Sequence, residues 1–318
     1  MNHQTKRVHN HLGLILNPGT QVVTLVEVHD GDRLLHPVGA VAVIVKAPSD
    51  LEHAYRVRFI DGFEAALKSH EVIMLAKYKE GDIGDASSIE ARYDLYERVI
   101  YRCVIGSRAY GLETEESDVD YRGIYLPPAK LHWSLYGVPE QLEREATQEA
   151  YWELQKFIVL ALKANPNVLE CLYSPLVEKQ TALAGALLEQ RSLFLSKLVY
   201  QTFNGYVMSQ FKKMQADLRN QGQVKWKHVM HLLRLLMSGI HVLKKHEVQV
   251  LVGHRRDELL AIRRGEVSWD DTERLRKELH VQFEDAFRST TLPERPDYQR
   301  ANNFLVTARE SALEGELP

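Results

Sequence analysis

Cysteine is scarce: Cys103 and Cys171 are the two in 318 residues. Two thiols exclude a disulfide framework, and a reducing cytoplasm is the expected setting. Long apolar runs are missing too. No stretch approaches the ~18 residues of a membrane-crossing helix, so no membrane association is expected. The apolar run near the N-terminus is too short for a secretory signal. The chain has no Walker-type Gly-rich lysine loop, no zinc-finger spacing, no internal repeat and no low-complexity tract. Hydrophobic residues make up 45% and charged residues 26%, which excludes a disordered chain or a coiled-coil rod and fits two or three globular domains.

The formal net charge of −3 argues against a generic nucleic-acid coat protein. The charge is unevenly spread. Arg191–Arg264 carries 14 Lys/Arg against four Asp/Glu, a net +10 inside an otherwise acidic chain. That is either a local footprint for phosphates or a solvated helix surface.

Three regions follow from the patterning. Residues 1–80 hold β-branched runs, QVVTLVEV (Gln21–Val28), VGAVAVIVKAP (Val38–Pro48), YRVRFI (Tyr55–Ile60) and EVIMLA (Glu71–Ala76), separated by turn signals including the hairpin pair Asp61-Gly62. Short strands this dense predict a small closed barrel, SH3-like in type. Residues 85–180 alternate: a helix over about 88–99 capped by Ser87 or Ser88, strands over Val99–Gly106 and Val119–Leu126, a helix over 146–164 and a strand over Val168–Ser174. This predicts an α/β core with helices layered on a sheet. Residues 181–318 read as a helical domain, with periodic segments over 181–220, 226–246, 255–264 and 269–287, the last capped by Ser268. The fold class expected is therefore multidomain α+β.

The stretch that carries chemistry is VIGSRAYGLETEESDVDYRGIYL (Val104–Leu126). An apolar strand ends in Gly106-Ser107, and a second begins around Asp118-Val119-Asp120. Alternation along a strand points two carboxylates spaced by one residue to the same face. Their mutual repulsion calls for a hard cation such as Mg²⁺ or Mn²⁺, and two ions can share the pair. Gly106 removes a side chain where the strand turns, so backbone N–H groups, the Ser107 hydroxyl and Arg108 can approach a triphosphate. Glu170, inside an apolar run expected to be a strand, is the candidate third carboxylate, because a buried glutamate wants a metal or a partner. Cys103 and Cys171 sit in segments expected to be buried and do not look like nucleophiles.

The pattern of an apolar residue, Gly-Ser, about ten residues and Asp-apolar-Asp resembles the signature of the DNA polymerase β-like nucleotidyltransferases. A longer resemblance, carried by GSRAYGLETEESDVDYRGIYLPP, WELQKFIVLALKANPNVLECLYSP, LLAIRRGEVSWDD and TLPERPDY, is to the RNA-ligase-associated nucleotidyltransferases of RNA repair. It spans about residues 90–310 and leaves out the N-terminal strands. It implies a mixed-sheet nucleotidyltransferase core, two Mg²⁺ or Mn²⁺ ions on Asp118, Asp120 and Glu170, an NTP substrate, RNA as acceptor and an RNA ligase as a pathway partner.

One helix stands out on geometry alone. In WKHVMHLLRLLMSGIHVLKKH, Lys227, His231, Arg234, Ser238, His241 and Lys245 recur at spacings of four and three on an otherwise apolar helix. They fall in one stripe, which either faces water or lines a cleft where Lys227, His231 and Arg234 meet the triphosphate. Arg255, Arg256, Arg263 and Arg264 extend the positive segment as candidate RNA-backbone contacts.

The activity expected is transfer of a nucleoside monophosphate from an NTP to an acceptor hydroxyl, an RNA 3′ end being favoured. Two alternatives stand beside it: transfer to a protein or small-molecule hydroxyl, and a non-catalytic nucleotide- or RNA-binding adaptor.

Overall fold

The computed structural model describes residues 15–50, 52–81, 89, 93–115, 117–221 and 224–313. The chain divides into two compact units, Met1–Asp85 and Ala86–Pro318.

The first unit contains β1 (Gln21–Thr24), β2 (Val28–Asp30), β3 (Arg33–His36), β4 (Val41–Lys46), β5 (Tyr55–Phe59), β6 (Glu64–Leu67) and β7 (Val72–Met74). Five of them form an antiparallel sheet in the order β6-β5-β4-β1-β7, and β2 and β3 pair separately. β5 shows the alternation that drives it: Tyr55, Val57 and Phe59 are buried while Arg56 and Arg58 face out. The Asp61-Gly62 turn joins β5 to β6, with the Phe63 N–H donating to Asp61 Oδ1 at 3.0 Å. Among the described residues the edge strands β6 and β7 do not pair with each other. The closed SH3-like barrel expected from the strand density is not found among the described residues. β6 itself (EAAL) escapes a propensity argument, because alanine is a poor strand former and pairing with β5 imposes the conformation.

The second unit is built on a mixed sheet of β8 (Val99–Ile105), β9 (Asp120–Tyr125), β10 (Gln141–Arg144), β11 (Glu149–Glu153) and β12 (Val177–Gln180), in the order β10-β11-β9-β8-β12. β9 and β11 run parallel and the other pairs antiparallel. Gly123 permits the closest approach of β8 to β9, since a Cβ there would lie 1.9 Å from the Tyr101 carbonyl oxygen.

Two expected elements are corrected. The helix expected over 146–164 begins as strand β11. The Glu153 carboxylate then accepts from the N–H groups of Gln155 (2.8 Å) and Lys156 (3.4 Å), ending the strand and capping a helix over Leu154–Leu162. The strand expected over Val168–Ser174 is instead a helix over Pro166–Leu172, with the Asn165 side chain accepting from Val168 N–H at 3.3 Å and Pro166 in its first turn. Asn-Pro is a helix-start signal, and it outweighs the β-branched look of VLECLYS. Of the helix expected over 88–99, residues 88 and 90–92, with the expected caps Ser87 and Ser88, lie outside the described residues; the remainder holds a 3₁₀ turn over Leu95–Arg98 capped by Asp94, and β8 begins at Val99.

Helices follow over Ala182–Glu189, Leu198–Gln221, Trp226–Lys245, Arg256–Arg264, Trp269–Ser289 and Tyr298–Ser311. The expected 181–220 helix is broken by a 3₁₀ turn over Arg191–Phe194. Ser268 caps as expected, accepting from Asp271 N–H at 3.1 Å. The Trp226–Lys245 helix buries 12 of its 20 residues and is central. One hydrophobic core runs from Ile100 and Cys103 on the sheet through Phe157 to Leu232 and Phe283. Packing therefore does not break near residue 180: the expected core and helical regions share one interior. Among the described residues no helix is long and apolar enough to cross a membrane.

Candidate active site

β8 delivers the chain to the site and β9 leaves it, with Ile105 opposite Asp120 in the antiparallel register. Gly106 follows with φ +76° and ψ −155°, a backbone region close to glycine-only. It caps a short helix over Ser107–Tyr110, closed by Tyr110 N–H donating to the Gly106 carbonyl at 3.0 Å. A Cβ at Gly106 would lie 2.8 Å from Asp120 Oδ2. The glycine therefore opens the notch that the Asp120 carboxylate faces.

The loop back to β9 is braced from both ends. Arg108 Nη2 donates to the Ser117 carbonyl at 3.0 Å, and the Ser117 hydroxyl accepts from Thr114 N–H at 2.8 Å. Asp118 is exposed on this loop, two residues ahead of Asp120, which opens β9. Arg122 lies 3.8 Å from Asp120 and spends Nη1 on the carbonyls of Tyr121 (2.7 Å) and Gln148 (2.9 Å). Gly106, Ser107 and Asp120 are thus brought together, with Asp118 beside them in sequence. Asp120 at the side-chain-free notch, with Asp118 two residues before it in sequence, offers hard oxygen donors of the kind Mg²⁺ or Mn²⁺ takes. Among the described residues no group of three or more His, Cys, Asp or Glu converges to hold a metal.

Glu170, expected as the third ligand, is engaged by protein groups. It is buried on the Pro166–Leu172 helix, and both its oxygens are engaged. Arg234 Nη1 donates to Oε1 at 2.7 Å, and the Tyr110 hydroxyl donates to Oε2 at 2.6 Å. The buried glutamate finds a charged partner in this arginine. Arg234 in turn lies 3.6 Å over the Tyr110 ring. Burial opposes its charge, but the Glu170 carboxylate more than offsets this, leaving the Arg234 pKa above its ordinary value. Arg234, expected to meet the triphosphate, thus has its Nη1 engaged by Glu170.

The basic stripe changes meaning along its length. Lys227 is exposed, Arg234 and Ser238 are buried, and His231 between them is partly buried, edge-on to Tyr110 with ring centroids 6.2 Å apart. Burial, with the positive charges of Arg234, Lys227, His228 and Arg263, brings the His231 pKa down to about 4. His231 is thus neutral at pH 7 and supplies no positive charge for a phosphate. The arginines expected to meet RNA make internal contacts. Arg256 Nε donates to the Gly111 carbonyl (2.8 Å), Arg263 to Leu112 (2.9 Å), Arg255 to Glu258 (2.7 Å) and Arg264 to Glu266 (2.5 Å). Two of the four, Arg256 and Arg263, thereby tie the Arg256–Arg264 helix to the loop just after Ser107–Tyr110.

Sequence reasoning misses Tyr110 and Arg122. The signal for Tyr110 was its place one helical turn beyond Ser107; for Arg122, its same-face spacing from Asp120. Both cysteines are buried as expected, with Cys103 Sγ donating to the Cys171 carbonyl at 3.8 Å.

Two comparisons with known proteins bear on the family. The uncharacterized protein YcgL of Bacillus subtilis (strain 168) is 33% identical over 107 residues, 31% of this chain and 38% of the relative, so the chain spans well under half of that relative's length. The RNA repair pathway DNA polymerase beta family matches residues 79–307, which include Gly106, Ser107, Asp118 and Asp120. The chain belongs to the RNA repair pathway DNA polymerase beta family.

Proposed function

We propose that the protein transfers a nucleoside monophosphate from an NTP to the 3′ hydroxyl of RNA, releasing pyrophosphate. The observation that carries this is the Gly106–Asp120 notch, where a bare backbone turn meets a carboxylate at the mouth of two antiparallel strands. Membership of the RNA repair family supports the choice of RNA.

Asp118 and Asp120 would hold the two divalent ions. When bound, such ions polarise the phosphates and lower the pKa of the attacking hydroxyl. Gly106 lets the β- and γ-phosphates approach the backbone, and Ser107 offers its N–H and hydroxyl to them. Arg108, beside Ser107, and Lys227, exposed on its helix, contribute positive charge toward the departing pyrophosphate. The acceptor oxygen forms a bond to the α-phosphorus, the bond to pyrophosphate breaks, and the hydroxyl proton passes to water. Glu170, paired with Arg234, takes no part in that proton transfer.

The test is incubation with each α-labelled NTP, Mg²⁺ or Mn²⁺, and RNA ending in either a 3′ hydroxyl or a 3′-deoxy sugar. Label on the hydroxyl-ended RNA alone is expected. Label on protein, or no product with any NTP, overturns the assignment.

A further inference from the structure

Behind the Ser107–Tyr110 turn lies a pocket of about 410 Å³ that the proposed chemistry does not use. Its volume is within the ~300–1,000 Å³ range of small-molecule sites. Tyr110 forms one wall, so the pocket begins a single helical turn from Ser107. Leu232, Leu235 and Pro166 give it apolar surface, and Tyr206, 47% exposed, offers an aromatic face to a flat ligand.

The polar groups decide what fits. Asn165, Asn167, His228 and His231 line the pocket. Asn165 spends its Oδ1 on Val168 N–H, leaving its amide N–H₂ to donate. The exposed Asn167 offers both a donor and an acceptor. His231, held neutral, likewise has one ring nitrogen that donates and one that accepts. The one fully buried cation on the wall, Arg234, is already neutralised by Glu170. A phosphate wants donors and net positive charge. Mixed donors and acceptors beside an aromatic and an aliphatic surface match the edge and face of a nucleobase instead.

We infer that this pocket seats a nucleoside, its base packed on Tyr206 and read by Asn165, Asn167 and His231, with Thr202 at hand for the ribose. Thr202 uses its hydroxyl proton on the Lys163 carbonyl at 3.2 Å, so its oxygen is left to accept. The inference deepens the nucleotidyl-transfer proposal and rests on it for the source of the nucleoside. That source is either the incoming NTP or the terminal residue of the acceptor RNA.

The experiment uses the full chain and its Tyr206→Ala and Asn167→Ala variants, both at exposed positions, with melting temperature as the check on folding. Each NTP, inorganic tripolyphosphate and a short single-stranded RNA are titrated by calorimetry. The expected result is that the wild-type chain binds at least one NTP or the RNA, and that Tyr206→Ala weakens this binding about tenfold. Weakened NTP binding with tripolyphosphate binding unchanged assigns the pocket to the incoming nucleotide. Weakened RNA binding with NTP binding unchanged assigns it to the acceptor end. Unchanged binding of both in folded variants overturns the inference. So does a wild-type chain that binds NTPs no better than tripolyphosphate and does not bind the RNA. Failure of the transfer reaction is separate: a chain that labels no RNA yet loses nucleoside binding with Tyr206 keeps the pocket and loses the reaction.

Discussion

Gly106 and Asp120 occupy one another's space: the position a Gly106 side chain would take is 2.8 Å from Asp120 Oδ2. A methyl group at 106 meets two penalties, the collision and a φ of +76° that an L-residue rarely adopts. Backbone strain of that kind costs on the order of 1–3 kcal/mol. Gly106→Ala is expected to lower the melting temperature modestly and to reduce NTP incorporation at least a hundredfold, because the carboxylate is pushed from the notch. Activity within threefold of wild type in a folded Gly106→Ala protein would show that the notch is not the reaction centre.

Asp118→Asn and Asp120→Asn keep size and shape while removing charge. Asp118 is exposed, and the partly exposed Asp120–Arg122 pair at 3.8 Å stabilises the fold by at most about 1 kcal/mol. Both variants are expected to fold with melting temperatures near wild type and to lose incorporation below detection. Mn²⁺ titration followed by paramagnetic relaxation gives a second readout, with affinity falling at least tenfold in each. An active Asp120→Asn protein would remove the carboxylates from the mechanism.

How far the sequence carries depends on whether a feature is local. Gly106, Ser107 and Asp120 are legible because a strand, a turn and a returning strand, all between Val99 and Tyr125, leave few ways to fold. The Trp226–Lys245 helix is legible from its periodicity alone, to within a residue at its end. The partner of Glu170 was not, because Arg234 is 64 residues away and nothing local distinguishes an ion-paired glutamate from a metal ligand. The surroundings of the basic stripe were not legible for a related reason. Periodicity places Lys227, His231 and Arg234 on one face but is silent on what covers it, and here Tyr110 and Glu170 cover its middle. At β11 and the Pro166–Leu172 helix, the side-chain caps Glu153 and Asn165 decided structure against the propensity of the residues around them.

The Glu170–Arg234 pair supplies a test of structural against catalytic roles. Removing one partner of a buried pair leaves the other charged and uncompensated, a loss of about 3–5 kcal/mol. Glu170→Gln is expected to destabilise by that order in urea unfolding. Glu170→Leu combined with Arg234→Met should cost less than the sum of the single changes. At temperatures where Glu170→Gln remains folded, its Mn²⁺ affinity should equal wild type, unlike that of Asp120→Asn. A tenfold loss of Mn²⁺ affinity in folded Glu170→Gln would restore Glu170 to the metal site.

His231 makes stability depend on pH in a definite direction. Its folded pKa, brought down to about 4, lies below the ordinary value of 6.5 because the imidazolium is opposed by burial and by Arg234, Lys227, His228 and Arg263. Above pH 6.5 the ring is neutral in both folded and unfolded chains, and its contribution is fully present. Between pH 6.5 and 4 the unfolded chain takes up a proton that the folded chain refuses, so stability falls with pH, by on the order of 3 kcal/mol across the window. Below pH 4 both states are protonated and the loss levels off. In His231→Gln this component disappears. Urea unfolding of both proteins at pH 7.5, 6.5, 5.5 and 4.5 should give stability curves that converge or cross as the pH drops, the wild type losing more. Parallel curves would mean that the ring titrates alike in both states, and that it is not the neutral donor and acceptor the nucleoside pocket requires.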